Sequence, residues 1–185
     1  SPLRHWKVGP GSRVGVVGIG GLGHMAVKLA AAMGAHVVVL TTSPSKIDDA
    51  KRLGAHDVVM SSDPAAMKAI RNSLDLIIDT VGTSHDLEPE FALLRRDGAL
   101  CLLGGSPEPH HYPGAFSFIM KRKTLAGSLI GGIPETQEML DFCAAHHILA
   151  DIEVVAASAI NEAYERMLKA DVKYRFVINL STLEG

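Results

Sequence analysis

The chain has 185 residues, 47% of them hydrophobic and 21% charged, with a formal net charge of -2. That composition supports one sizeable buried core with an appended piece and excludes a disordered chain. No Lys/Arg-rich run offers a track for nucleic acid, and no apolar stretch reaches membrane-spanning length, since Gly34 and His36 interrupt the longest, Leu29 to Leu40.

Residues 1 to 12 read as the end of an earlier element, closed by Gly9-Pro10-Gly11. The start, Ser1-Pro2-Leu3, has no initiator Met and no signal-peptide pattern, as expected of a piece of something longer. Arg13 to Val17 reads as a short buried strand running into Gly18-Ile19-Gly20-Gly21-Leu22-Gly23. From there Leu22, Ala26, Leu29 and Met33 recur at helical spacing until Gly34 stops the helix. A G-x-G-x-x-G turn between strand and helix is a dinucleotide signature. Gly18 permits the turn, Gly20 lets a pyrophosphate approach the backbone, and Gly23 lets helix and strand pack closely.

His36 to Leu40 is a second strand, apolar on both faces as in a covered parallel sheet. Ser43 and Pro44 then open a helix as cap and first residue, with Ile47, Ala50 and Leu53 on its inner face. Asp57 to Met60 is a third strand, and Asp63-Pro64 opens a helix to about residue 72. Leu74 to Asp79 is a fourth strand, leaving at Thr80-Val81-Gly82. A helix is expected from Asp86 to Leu94, with Arg95 and Arg96 at its negative end, then a fifth strand from Ala99 to Leu103. After Gly104-Gly105 comes a proline-rich loop, a short helix from Ala115 to Lys121, and a sixth strand from Leu125 to Ile130. The expectation is an α/β fold: a doubly wound parallel six-stranded sheet, the Rossmann fold, over residues 1–133. A C-terminal α/β tail over residues 134–185 follows, with a helix at Pro134 to His147, a strand at Ile152 to Val155, a helix at Asn161 to Ala170 and a strand at Tyr174 to Leu180.

The end of the second strand narrows the ligand. An NAD site places Asp or Glu there for the ribose 2′-hydroxyl. Between Gly34 and Ile47 there is no acid; Thr41, Thr42, Ser43 and Lys46 offer hydroxyls and a cation instead. That set suits a 2′-phosphate and hence NADP, against the plainer reading of a helix cap with a solvated lysine. It also counts against an S-adenosylmethionine methyltransferase, whose site wants a carboxylate for the ribose. Strand ends in open α/β sheets line the ligand crevice, which brings in Thr80, Val81, Gly82, Gly104 and Gly105.

Metal and nucleophile chemistry find no support. His110 and His111 are adjacent and point apart on extended chain, and His146 and His147 suit a helix end. H-E-x-x-H, C-x-x-C and G-x-S-x-G are absent, so no metal ligand and no catalytic acid, base or nucleophile is assigned. Cys101 and Cys143 lie far apart in apolar segments and read as buried thiols, which implies a reducing, cytoplasmic compartment.

The stretch Val14 to Met25 resembles the coenzyme turn of zinc-dependent medium-chain alcohol dehydrogenases. Within them it is similar to the cinnamyl alcohol dehydrogenase branch, including bacterial NADPH-dependent aldehyde reductases. Thr41-Thr42-Ser43, Ile78-Asp79-Thr80-Val81, Gly127-Ser128-Leu129-Ile130-Gly131 and Asp171 to Val177 match in the same order across nearly the whole chain. The resemblance implies that Gly20, Gly21 and Leu22 meet the pyrophosphate, while Thr41, Thr42, Ser43 and Lys46 hold the 2′-phosphate. It implies that Thr80, Val81, Gly104, Ser128, Leu129 and Ile130 border the nicotinamide half, and that Arg175 reaches the cofactor phosphates. It further implies a homodimer through Leu125 to Ile130, and an amino-terminal catalytic domain, holding both zinc sites, that would precede Ser1. The tail from residue 134 would pack on that domain. On this reading the intact enzyme interconverts an aldehyde and an alcohol with NADP(H) and zinc, and this chain binds cofactor without turning over. A non-catalytic nucleotide-binding module and a zinc-independent quinone reductase relative are the alternatives.

Overall fold

The computed structural model describes residues 1–183; the last two residues of the 134–185 tail lie outside the described residues. Two compact units divide the chain, Ser1–Ile148 and Leu149–Gly185.

In the first unit a short helix α1 (Pro2–His5) precedes strand β1 (Arg13–Val17), helix α2 (Gly23–Ala32) and strand β2 (His36–Thr41). A single 3-10 turn, Pro44–Lys46, leads into α3 (Ile47–Arg52), followed by β3 (Asp57–Met60) and α4 (Pro64–Ala69). Then come β4 (Leu74–Asp79), α5 (Glu88–Phe91), β5 (Leu94–Leu102), α6 (Ala115–Ile119), β6 (Thr124–Gly127) and α7 (Ile133–Ala145). The six strands form one sheet in the order β3-β2-β1-β4-β5-β6, and all pairings are parallel. The expected doubly wound Rossmann sheet is therefore present. Its winding reverses between β1 and β4, and a crevice opens where the crossovers leave in opposite directions.

Burial explains why these segments became strands. Val37, Val38, Val39 and Leu40 are all 0% exposed, so both faces of β2 are covered, as a parallel sheet demands. On one face Val17, Val38, Leu40, Leu74, Ile77 and Leu100 join Met67 of α4 and Phe91 of α5 in a continuous core. Helix α4 starts where the sequence reading puts it, because the Asp63 carboxylate accepts from the Ala65 and Ala66 amides at 2.9 and 3.2 Å.

The region after β4 departs from expectation. The helix expected at Asp86 to Leu94 is only Glu88–Phe91, and Leu94 already belongs to β5, paired with Leu74 across an irregularity before Leu76. Arg95 and Arg96 therefore sit in a strand rather than at a helix terminus, and Arg95 forms an ion pair with Asp75 of β4. Leu93 and Leu94 are 1% and 0% exposed, so sheet pairing and burial override a pattern that reads equally well as helix. Strand β6 also ends early. Ser128 still donates to Leu102 at 3.1 Å, but Leu129 and Ile130 lie beyond the ladder.

Helix α7 falls within the first unit. The second unit holds a parallel pair, β7 (Ile152–Ala156) and β8 (Arg175–Asn179), joined through α8 (Ile160–Leu168). Its Arg166 binds Glu153 at 2.8 Å and Asp171 at 3.0 Å, tying helix to strand.

Candidate functional site

The glycine turn after β1 is tightly packed. Gly18 has φ +82°, a left-handed conformation that favours glycine, and its amide donates to Leu40 at 3.1 Å. A Cβ on Gly23 would lie 2.1 Å from the Gly18 carbonyl oxygen and 3.0 Å from Thr80 Oγ1. No side chain fits there. A Cβ on Gly20, by contrast, would meet nothing within 4 Å. One glycine serves packing and the other faces open space, the division of labour a pyrophosphate cradle requires. Helix α2 begins here with no side-chain cap and no acidic residue in its first turn, so its positive end is left for an anion.

Three neighbours hold the turn in shape. His24 is fully buried, and its Nδ1 lies 2.9 Å from the Gly20 carbonyl, which also accepts the His24 amide at 3.0 Å. Because a carbonyl only accepts, Nδ1 is the donor. Thr80 donates its hydroxyl to Val17 at 2.8 Å, with Gly18 O at 3.3 Å, clipping the end of β4 to the end of β1. Lys46 Nζ reaches back from the β2–α3 connection to the Ile19 carbonyl at 3.2 Å. Thr41 is buried and its hydroxyl accepts the Ser43 amide at 3.1 Å, so Thr42, Ser43 and Lys46 form the outer margin of the cradle. Ser43 caps through no side-chain bond of its own; its hydroxyl instead meets Ser45 at 2.8 Å.

On the other side of the switch point, a Cβ on Gly104 would lie 2.1 Å from the Val81 carbonyl, so the loops leaving β4 and β5 touch backbone to backbone. The structure thus brings together Gly18 to Gly23, Thr41 to Lys46, Thr80, Val81 and Gly104 at the carboxyl ends of neighbouring strands. Ser128, Leu129 and Ile130 follow β6 at the same end of the sheet, with Leu129 and Ile130 strongly exposed. Arg175 opens β8 in the second unit, opposite Ile152.

Two buried carboxyls went unassigned in the sequence reading. Asp79 ends β4 at 1% exposure and Glu90 sits in α5 at 7%. Burial pushes both carboxyl groups above the ordinary carboxylate range; for Asp79 the Val81 amide and the charges of His85 and His110 act against it. An acid closing an otherwise buried strand was the available signal, because a buried carboxylate must find partners. His24 gave none.

Among the described residues, no group of three or more His, Cys, Asp or Glu is placed to hold a metal ion. The zinc of the resembling family therefore finds no ligand set among them, whereas the glycine cradle fits a dinucleotide. No helix among them is long and apolar enough to cross a membrane.

Comparison with known proteins agrees with this geometry. A family model described as zinc-binding dehydrogenase matches residues 21–145. The chain is 61% identical over 183 residues to aldehyde reductase YahK of Escherichia coli, covering 99% of this chain and 52% of that protein. Its fold matches a cinnamyl alcohol dehydrogenase of Sorghum bicolor with a TM-score of 0.95 at 44% identity, over 99% of this chain and 52% of that one. A cinnamyl alcohol dehydrogenase of Helicobacter pylori, solved with NADP(H), matches at 0.87 and 39% identity over the same shares, 99% and 52%. The chain spans about half the length of the curated relatives it matches. With that family match covering most of the chain, and close relatives of the same kind aligned over nearly all of it, this chain belongs to the zinc-binding dehydrogenase family.

Proposed function

We propose that this chain is the cofactor-binding half of an NADP(H)-dependent alcohol dehydrogenase or aldehyde reductase that interconverts an aldehyde and a primary alcohol. One observation carries the choice of cofactor: the margin of the cradle holds Thr42, Ser43 and Lys46, with no acid between Gly34 and Ile47. A ribose 2′-phosphate meets hydroxyls and an ammonium there, with no carboxylate to repel it. The relatives whose names carry NADP and the structure solved with NADP(H) support the same choice.

When bound, NADPH supplies a hydride to the carbonyl carbon, and a proton completes the alcohol. The residues of this chain bind and orient. Gly20, Gly21 and Leu22 receive the pyrophosphate at the start of α2; Lys46 and the neighbouring hydroxyls hold the 2′-phosphate; Thr80, Val81, Gly104 and Ser128 to Ile130 border the nicotinamide end. No residue of this chain is assigned as acid, base or metal ligand.

Calorimetric titration with NADP+ and NAD+ tests the reading. NADP+ should bind at least tenfold more tightly, about 1.4 kcal/mol. Lys46→Ala should remove most of that difference and leave NAD+ nearly unchanged. Equal affinities in the wild type would refute the 2′-phosphate assignment.

The outer edge of β6 favours a homodimer. It is the last strand of the sheet, and Leu129, Ile130 and Ile133 beyond it are 85%, 89% and 87% exposed. An edge strand flanked by apolar side chains is a template for pairing with a second copy. Sedimentation velocity should find a dimer that Ile130→Glu converts to monomer; a wild type monomeric at all concentrations would refute it. Both cysteines are free thiols, in keeping with a cytoplasmic location.

A further inference from the structure

Asp79 is the hub on which two crevice loops hang. Its Oδ1 accepts the Val81 amide at 2.9 Å, and its backbone carbonyl accepts Leu103 at 2.8 Å and Gly104 at 3.2 Å. The remaining oxygen, Oδ2, lies 3.0 Å from Nε2 of His85 in the loop after β4. Among the described residues neither atom has a hydrogen-bond partner, the close contact between them lying outside hydrogen-bond alignment, and both atoms are buried.

The other ring nitrogen decides the protonation. His85 Nδ1 lies 2.9 Å from the Thr83 carbonyl oxygen, which can only accept, so Nδ1 carries a hydrogen. A neutral imidazole has one N–H. Nε2 would then be an unprotonated nitrogen 3.0 Å from a carboxylate oxygen, two acceptors brought together with both atoms buried. One additional proton between Oδ2 and Nε2 turns that repulsion into a bond. It can be drawn as imidazolium and carboxylate, or as imidazole and carboxylic acid; the proton belongs to the pair.

The bonds around the pair make that proton consequential. Ser84 donates to the Pro109 carbonyl at 2.5 Å, His111 to the His85 carbonyl at 3.1 Å, and Leu87 to the His111 carbonyl at 3.0 Å. The His85 ring meets His110 edge-on at 4.9 Å between centroids. The loop after β4 is thereby laced to the loop after β5, with Asp79 at the root of both. His110 from the loop after β5 acts on Asp79, and Glu90 from α5 interacts with both members of the pair while Asp86, from the loop after β4, acts on Glu90.

We propose that Asp79 and His85 share one proton at neutral pH, and that this proton holds the Val81 and Gly104 backbones in place, making His85 a positioning residue for the nicotinamide end of the cofactor. The role toward cofactor rests on the NADP(H) reading above; the shared proton rests on geometry alone.

Asp79→Asn separates the two. Its carbonyl oxygen can accept from Val81 while its amide N–H donates to Nε2 of a neutral His85, so the bond survives with no extra proton. NADP+ affinity is measured by calorimetry from about pH 6 to about pH 9.5, across the range where histidine chemistry changes. The wild type should weaken about tenfold toward the alkaline end, the equivalent of one unit of linked protonation. Asp79→Asn should bind with a flat profile, and His85→Ala should bind weakly at every pH. Wild-type and Asp79→Asn profiles that run parallel would overturn the positioning role. Ring-nitrogen and carboxyl-carbon NMR of the wild type reads the proton directly, without any variant or ligand. An ionised Asp79 beside a His85 ring with one N–H at neutral pH would overturn the shared proton. If no protein binds NADP+, the cofactor reading and the positioning role fall together, while the NMR still decides the proton.

Discussion

Gly23→Ala is the sharpest test of how the glycine turn is built. The added Cβ would sit 2.1 Å from the Gly18 carbonyl oxygen, 3.0 Å from the Gly18 carbonyl carbon and 3.0 Å from Thr80 Oγ1. The first contact is roughly 1.3 Å inside the 3.4 Å at which ordinary van der Waals contact begins. Two of the three obstructing atoms are backbone and the third is pinned to Val17, so no flexible side chain can swing away. Helix α2 must move off the turn. Overpacking of this kind costs up to about 3 kcal/mol, which lowers the thermal midpoint of a chain this size by about 6–12 °C. The same displacement pulls α2 away from the turn, so NADP+ affinity should fall as well. Gly20→Ala is the control. Its Cβ meets nothing within 4 Å, so stability should change by no more than about 0.5 kcal/mol, while the methyl stands where the pyrophosphate must approach and costs at least about tenfold in affinity. Thermal melts followed by circular dichroism, with calorimetry on each variant, separate the two. Equal melting of Gly23→Ala and the wild type, or unchanged NADP+ affinity in Gly20→Ala, would refute the division between packing glycine and ligand glycine.

Burial raises the carboxyl of Glu90 above its ordinary value of 4.5, so the folded chain holds that proton more tightly than the unfolded one. Its contribution is therefore fully present below the ordinary value and is lost as pH rises through the raised one; Glu90→Gln should flatten this part of the urea-stability profile, and parallel curves would count against it. Thr80→Val removes the hydroxyl bonds to Val17 and Gly18 while the Val17 carbonyl keeps the Thr80 amide, at a cost of about 0.5–1.5 kcal/mol that Thr80→Ser should largely restore in denaturant melts. The Cys101 thiol is buried and pushed up to about 11, so it should resist a thiol-specific disulfide reagent at neutral pH until the protein is unfolded, whereas rapid reaction of the native chain at this residue would contradict its burial.

Local signals in the chain were sufficient for the architecture. Alternating apolar strands and helices, glycine stops and the Asp63-Pro64 cap specify their elements through neighbours a few residues away, and both ends of β1, β2, β3 and β4 were legible to within one residue. The acid-free stretch from Thr41 to Lys46 was equally readable, because a missing charge is a property of sequence. What tertiary contact decided is of another kind. Leu93 and Leu94 could end a helix or begin a strand, and only pairing with Leu74, together with the Arg95–Asp75 contact, chose the strand. Asp79 could have been a cap, a ligand or a solvated turn residue. Its role at the root of two loops comes from Leu103, Gly104 and His85, which the fold brings to it from other segments. The glycines divide the same way: their spacing announced a turn, but which one is packed and which one is open depends on Thr80 lying across Gly18 and Gly23. Periodicity and composition act along the chain and can be read there; the partners of a buried polar group are chosen across it.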